Sequence, residues 1–152
     1  MIWKFSVRRK RMQLVSRRSE LEERTVRLIK YLMVAIGGAA GALARFWLGG
    51  YVGERMGTKF PYGTFIINCS GSFVIGLIVT LLAERTHWNP NLRYLIPIGF
   101  VGAYTTFSTF EYETLKALQD GQILVASLNV VLSVFVGFLF VWLGVVAGRA
   151  VA

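Results

Sequence analysis

The chain has 152 residues, of which 55% are hydrophobic and only 16% are charged, and its mean hydropathy is +0.54. A soluble domain would carry about a quarter charged residues, so the composition indicates a membrane protein with room for one domain. A single cysteine, Cys69, excludes an intrachain disulfide, and a single histidine, His87, disfavours a histidine–cysteine metal site.

The first thirty residues form a basic extension that differs from the rest of the chain. Ten of the seventeen lysines and arginines precede Tyr31, whereas the residues from Tyr31 onward carry seven basic and five acidic side chains. This charge is expected to act at the membrane surface and on topology, with no role for nucleic acid. The segment lacks a signal-peptide pattern. Residues 1–30 are therefore interpreted as a surface-lying arm or an over-long start of translation, and residues 31–148 as the membrane domain.

Four apolar segments are long enough to cross a bilayer core, which needs about 20 helical residues. They are predicted as residues 31–48, 62–83, 94–118 and 123–147. The connections are short and contain turn residues, so neighbouring spans are expected to be antiparallel. The predicted fold class is an all-α membrane protein with four transmembrane helices and both termini on the same side.

Loop charges bear on the orientation of this four-span domain. Without the extension, three basic side chains lie on the terminal side and three or four on the opposite side. That near balance predicts almost no orientation preference. The extension adds ten basic residues to the terminal side, so the full chain is expected to insert with its termini in the cytoplasm.

A polar stripe runs along the second predicted span. Thr64, Asn68 and Ser72 recur every four residues and therefore share one helix face. Amide and hydroxyl donors without a cation suit a small anion that loses its water and must leave again. Hydrogen bonding that merely joins helices explains Asn68 equally well, so both interpretations stay open at this point.

The third predicted span is unusually polar for a membrane segment. Residues 99–113 read GFVGAYTTFSTFEYE, and residues 102–106 are unusually rich in glycine and β-branched hydroxyl residues for a helix centre. A break is therefore predicted at the centre of this span, where free carbonyls suit a cation and free N–H groups suit an anion. Phe107 and Phe110 share a face after the break. Two phenylalanines at this spacing are usually core residues, but their ring edges are weakly electropositive and suit an anion.

No group of residues indicates an enzyme. Glu111 and Glu113 are the only closely spaced carboxylates within a span. On a helix they face about 200° apart, which disfavours an acid–base pair. No Ser–His–Asp grouping or phosphate-binding loop is present in the sequence. Gly37 and Gly41 form a small-xxx-small pattern, which predicts close helix packing.

Four segments resemble the motifs of one known family, in the same order. They are Gly37-Gly38-x-x-Gly41-Ala42-x-x-Arg45, Gly63-Thr64-x-x-x-Asn68-x-x-Gly71-Ser72-Phe73-x-x-Gly76, Gly99-Phe100-x-Gly102-x-x-Thr105-Thr106-Phe107-Ser108-Thr109-Phe110 and Asn129-x-x-x-Ser133-x-x-x-Gly137. The family is the Fluc (CrcB) fluoride exporters, which are small four-span fluoride channels. The resemblance covers residues 31–148, and the third-span motif is highly specific.

The resemblance implies an antiparallel, dual-topology homodimer in the inner (plasma) membrane, with two fluoride pathways. It also implies a structural sodium ion at the dimer centre, held by the backbone carbonyls of Gly102 and Thr105. Phe107 and Phe110 would line the pathway, and Asn68 would supply its amide.

Further roles follow from the same resemblance. The candidates for a polar track along the pathway are Thr64, Ser108, Thr109 and Ser133. Glu113 stands where the family often has a carboxylate near a pore mouth. Arg45 matches the first-span arginine, for which a structural or vestibule role is expected.

The basic extension disagrees with one implication of the resemblance. A dual-topology homodimer needs subunits that insert both ways, which ten extra basic residues oppose. Later initiation, an arm overridden during assembly, or pairing with an oppositely oriented homologue would each resolve the conflict.

Two other functions are weaker interpretations of the sequence. A four-span proton-coupled multidrug exporter needs a buried carboxylate in the first span, which has none. A non-transporting membrane assembly subunit would not explain the polar stripe along the second span.

Overall fold

The computed structural model describes the backbone of residues 2–85 and 88–151 and the side chains of residues 16–85 and 88–151. Its elements are α1 (Ile2–Met56), α2 (Tyr62–Glu84), a π-helical segment (Tyr94–Val101), α3 (Gly102–Tyr104), α4 (Phe107–Gln119) and α5 (Ile123–Val151). The described part of the chain is all-helical, as the sequence predicts. His87 and the side chains of residues 8–11 lie outside the described residues.

The chain divides into two compact units, Met1–Leu32 and Met33–Ala152. In the first unit, all described side chains of residues 16–29 are exposed. Arg18 and Glu22, one helical turn apart, form an ion pair of 3.1 Å. Such an exposed pair adds little stability. The described side chains of this unit therefore contain no buried core.

Three helices of the described chain are long and apolar enough to cross a membrane. They cover Ser16–Met56, Tyr62–Glu84 and Ile123–Val151. The first predicted span was placed too short, because the helix continues from Leu48 to Met56. Glycines 49 and 50 lie within this helix, and the backbone of Gly49 lies against Gly63 of α2. Close backbone approach favours small residues at such a contact.

Helix α2 packs most extensively against α5. Gly76 lies against the backbone of Val141, and Gly144 lies against the backbone of Phe73. A methyl group at either glycine would overlap main-chain atoms of the other helix. Glycine on both helices therefore permits their close packing.

The π-helical segment packs against the second half of α1. Gly37 and Gly41 contact the backbone of Leu95 and Phe100, which confirms the packing interpretation of the small-xxx-small pattern. Pro97 lies inside the segment. Proline cannot donate the regular helical hydrogen bond and its ring displaces the preceding carbonyl, which explains a widened helix here.

The third predicted span is interrupted at its centre, as the sequence predicts. The helical backbone ends at Tyr104, and Thr105 is extended with ψ 156°. Thr106 is also extended, with φ −149° and ψ 105°, and α4 begins at Phe107. This break places polar backbone groups beside α2.

Candidate functional site

Asn68 of α2 is hydrogen-bonded to the backbone of the break. Its side-chain Oδ1 accepts from the Thr106 N–H at 2.8 Å, and its Nδ2 donates to the Thr106 carbonyl at 3.1 Å. The Asn68 amide thus pairs with both the N–H and the carbonyl of Thr106, as the backbone of a neighbouring β-strand would. Asn68 therefore satisfies both polar groups of a residue that has left the helix.

Thr106 also caps the helix that follows. Its hydroxyl donates to the Thr109 hydroxyl at 2.8 Å and accepts from the Thr109 N–H at 3.4 Å. Threonine is a favoured N-cap because its oxygen can satisfy an N–H group of the first turn. One residue therefore ends the break and starts α4.

These contacts release two backbone carbonyls. In an uninterrupted helix, the N–H groups of Thr106 and Thr109 would donate to the carbonyls of Gly102 and Thr105. Here the Thr106 N–H donates to Asn68 and the Thr109 N–H donates to the Thr106 hydroxyl. Carbonyls that lose their helical N–H donors at a break in a membrane helix are suitable sodium ligands, so the donor set at Gly102 and Thr105 fits such an ion.

Further contacts hold the break against α2. The hydroxyls of Ser70 and Tyr104 lie 2.8 Å apart and share a hydrogen bond. The Thr105 methyl group lies where a side chain at Gly71 would otherwise project. The geometry of the break is therefore set by α2 on both sides of the interruption.

The rings of Phe107 and Phe110 lie against each other, tilted, at the start of α4. Their ring centroids are 5.6 Å apart with an interplanar angle of 41°. Phe107 is 70% exposed, so it is not a core residue of this chain. Ser108 and Thr109 are also exposed, and this end of α4 therefore presents a polar and aromatic surface.

A cavity of about 1120 Å³ lies between the second half of α1, α2 and α4. It brings together four of the residues singled out in the sequence, namely Arg45, Thr64, Thr109 and Glu113. The remaining candidates, which are Asn68, Ser108, Ser133, Gly102, Thr105, Phe107 and Phe110, do not line it. Thr106 lines the cavity and contacts Asn68, so it connects the cavity to the break.

The charges around this cavity are balanced. Its lining includes three basic side chains, Arg45, Lys59 and Lys116, and three acidic ones, Glu54, Glu113 and Asp120. The Oε2 atom of Glu113 is buried and has no hydrogen-bond partner among the described residues. Glu111 is exposed on another face, so the two carboxylates are not paired, as expected.

Ser133 belongs to a network that the sequence did not reveal. Its hydroxyl donates to Asn129 Oδ1 at 3.4 Å, and Asn129 Nδ2 donates to the Thr114 hydroxyl at 2.8 Å. Thr114 in turn donates to the Phe110 carbonyl at 2.7 Å. Asn129 is only 1% exposed. This network ties α5 to α4 one turn beyond the phenylalanine pair.

Two residues of the site, Thr106 and Asn129, were not among the candidate site residues chosen from the sequence. Thr106 was recognisable only as the second threonine before a helix start, where an N-cap is favoured. Asn129 was recognisable from its spacing of four residues to Ser133, which places both on one helix face. Neither signal identifies the hydrogen-bond partner, because that partner lies on another helix.

Comparison with known proteins identifies the family. Residues 32–145 match the family model described as CrcB-like protein, Camphor Resistance (CrcB). Fluoride-specific ion channel FluC from Acidobacterium capsulatum is 55% identical over 123 residues, which cover 81% of this chain and 98% of that protein.

Two relatives carry the same name. The protein from Geotalea daltonii is 48% identical over 78% of this chain and 95% of its own length. The protein from Geotalea uraniireducens is 47% identical over 78% of this chain and 96% of its own length. The matched residues contain the broken span and its neighbours, and this chain belongs to the CrcB family.

Proposed function

We propose that this protein is a fluoride-selective ion channel that lets cytoplasmic fluoride leave the cell down its electrochemical gradient and so lowers fluoride toxicity. The match over 98% and 95% of the length of two relatives named fluoride-specific ion channel FluC supports this function. The Asn68–Thr106 pair at the broken span is the structural observation that carries it. Such a protein is a channel and not an enzyme.

The proposed pathway runs from the cavity to the break. Arg45, Thr64, Thr109 and Glu113 line the cavity, and fluoride would lose most of its water there. An amide nitrogen carries two hydrogens. Asn68 gives one to the Thr106 carbonyl, so the second remains for an anion. Neutral donors of this kind bind an anion without trapping it.

The aromatic pair supplies the next contacts. The edges of Phe107 and Phe110 carry partial positive charge and attract an anion weakly. Ser108 follows Phe107 on exposed surface, and Ser133 joins the network behind Phe110. We assign these hydroxyls to a polar track beside the rings.

The assembly is proposed to be an antiparallel dimer of four-span subunits in the plasma membrane. The fourth span would be the π-helical segment, α3 and α4 together. Phe107, Phe135 and Phe138 are each at least 70% exposed on one chain, and a second subunit or lipid must cover them. The partner is a second copy if the basic extension lets subunits insert in both orientations. It is an oppositely oriented homologue if the extension fixes one orientation.

A sodium ion is proposed at the centre of that dimer. The carbonyls of Gly102 and Thr105 would hold it, because their usual N–H donors are engaged elsewhere. When bound, the ion would supply positive charge that holds the break open. Thr106 and Asn68 would keep the carbonyls oriented through their own hydrogen bonds.

Fluoride efflux from proteoliposomes that contain the purified protein tests the function. A fluoride electrode should record rapid release, whereas a chloride electrode should record negligible release from matched vesicles. Equal chloride release would contradict selectivity. Absence of fluoride release from well-folded protein would contradict a self-sufficient homodimer, and co-reconstitution with an oppositely oriented homologue would then separate a missing partner from a wrong function.

A further inference from the structure

A second cavity, of about 370 Å³, lies at the end of α2, away from the proposed fluoride pathway. Its apolar walls come from the last turns of α2 and from the π-helical segment. Arg85, Trp88 and Arg93 supply its polar and aromatic lining. No carboxylate is among the residues that line it. The cleft therefore combines an apolar interior with two guanidinium groups.

Neither arginine forms an ion pair with a carboxylate among the described residues. One guanidinium nitrogen of Arg85 donates to the Val151 carbonyl. The Arg85 Nε atom is buried and finds no acceptor within the described part of the chain. Arg93 Nε donates to the Pro90 carbonyl at 2.9 Å. A buried N–H group without an acceptor is unfavourable, especially on a charged side chain. Among the described residues, the cleft thus offers its guanidinium groups no anionic oxygen.

The position of the cleft along the chain indicates its depth in the membrane. Helix α2 is 23 residues long and ends at Glu84, so it spans a bilayer core of about 30 Å. Arg85 and Trp88 follow directly. The Arg85 guanidinium carbon lies 5.9 Å from the centre of the Trp88 ring. Tryptophan and arginine together are typical of the headgroup level, where anionic lipids attract basic side chains.

We propose that this cleft binds one anionic phospholipid. The lipid phosphate would accept hydrogen bonds from Arg85, including its unpartnered Nε, and from Arg93. An acyl chain would lie along Val79, Leu82 and Ile98. Val79 and Ile98 are 50% and 52% exposed in this chain, and the lipid would cover them.

Native mass spectrometry in detergent tests the proposal with phosphatidylglycerol and phosphatidylcholine as probes. The wild-type protein should retain phosphatidylglycerol in preference to phosphatidylcholine. The double variant Arg85→Gln/Arg93→Gln should lose this retention by roughly tenfold or more, because each basic group contributes to binding an anionic headgroup. Arg149→Gln is the matched control. It removes one charge from an exposed position in the last turn of α5, outside the cleft, and should bind like the wild type.

Fluorescence provides a second measurement that does not need the double variant to fold. Phosphatidylglycerol with brominated acyl chains should quench tryptophan emission of the wild type more than brominated phosphatidylcholine does. The Trp88→Phe variant should lose that difference.

Several outcomes would overturn the proposal. They are equal retention of both lipids, unchanged retention in the double variant, a quenching difference between the two lipids that persists in Trp88→Phe, and full competition by inorganic phosphate alone. An altered monomer–dimer ratio with unchanged lipid retention would assign the cleft to a second copy of the chain instead.

Discussion

Asn68 and Thr106 are 38 residues apart in sequence, yet they exchange two hydrogen bonds of 2.8 and 3.1 Å. The pair joins the polar stripe of α2 to the break in the following span. In a continuous helix the Thr106 N–H group would donate to the Gly102 carbonyl, but here it donates to Asn68. The polar stripe and the break are therefore one structural unit.

Replacing Asn68 by Leu should damage both stability and transport. Both hydrogen bonds to Thr106 are lost, which leaves polar backbone groups of a half-buried site unpaired and should lower the free energy of unfolding by about 1–3 kcal/mol. Fluoride efflux should fall to background. Thermal denaturation in detergent and the electrode assay measure the two effects. Ser72→Ala, on the same stripe, is the control, and an equal loss of stability in both variants would contradict a specific role for the pair.

Phe107→Ile should abolish most fluoride permeation without unfolding the protein. The ring is 70% exposed, so its removal creates no core cavity, while the electropositive ring edge is lost. Efflux from proteoliposomes gives the rate, and the melting temperature reports folding. Phe135→Ile is matched because Phe135 is 71% exposed on α5, and it should retain transport. Normal flux through a folded Phe107→Ile channel would refute the ring-edge contact.

Gly41→Ala should destabilise the contact between α1 and the π-helical segment. A methyl group at this position would overlap the backbone of Phe100, and such overpacking costs about 1–3 kcal/mol. Gly53→Ala is the control on the same helix, because nothing lies within 4 Å of the added atom. Melting curves of the two purified variants should differ clearly. Indistinguishable curves would mean that the two elements do not approach this closely.

Sodium should stabilise the folded protein selectively. A ligand that binds only the native state raises stability as its concentration exceeds its dissociation constant. The melting temperature should be higher in sodium chloride than in potassium or choline chloride at equal ionic strength. Fluoride efflux should slow when sodium is removed from both sides of the vesicle. Identical melting temperatures in all three salts would exclude the proposed ion at Gly102 and Thr105.

Deleting residues 2–29 should move the insertion ratio toward parity. The deletion removes nine of the ten basic residues that precede Tyr31, and the remaining loops are nearly balanced. Reporters of cytoplasmic and external location, fused after Ala152, measure the ratio in cells. Replacing the same basic residues by Gln removes the charge but keeps the length of the arm, so this control separates the effect of charge from that of length. A ratio unchanged by either alteration would show that the arm does not determine orientation.

The sequence alone determined the helical class, the site of the break and most of the residues around it. Apolar length predicts spans, and residues 102–106 predict an interruption, because both depend on local composition and backbone preference. The end of the first span was placed wrongly at Leu48. The segment from Gly49 to Pro61 is predicted as the connection to the second span, whereas α1 continues to Met56 and Gly49 lies against Gly63.

The way these residues act together depends on how the helices pack. The second-span stripe left Asn68 open between anion binding and helix joining, and the structure shows that it pairs with Thr106. Thr114, Asn129 and Ser133 likewise connect only through the contact of α4 with α5. A hydrogen bond between distant residues depends on where the chain brings them. Local backbone preference does not specify which distant residues meet, so these contacts follow only from the packing of the helices.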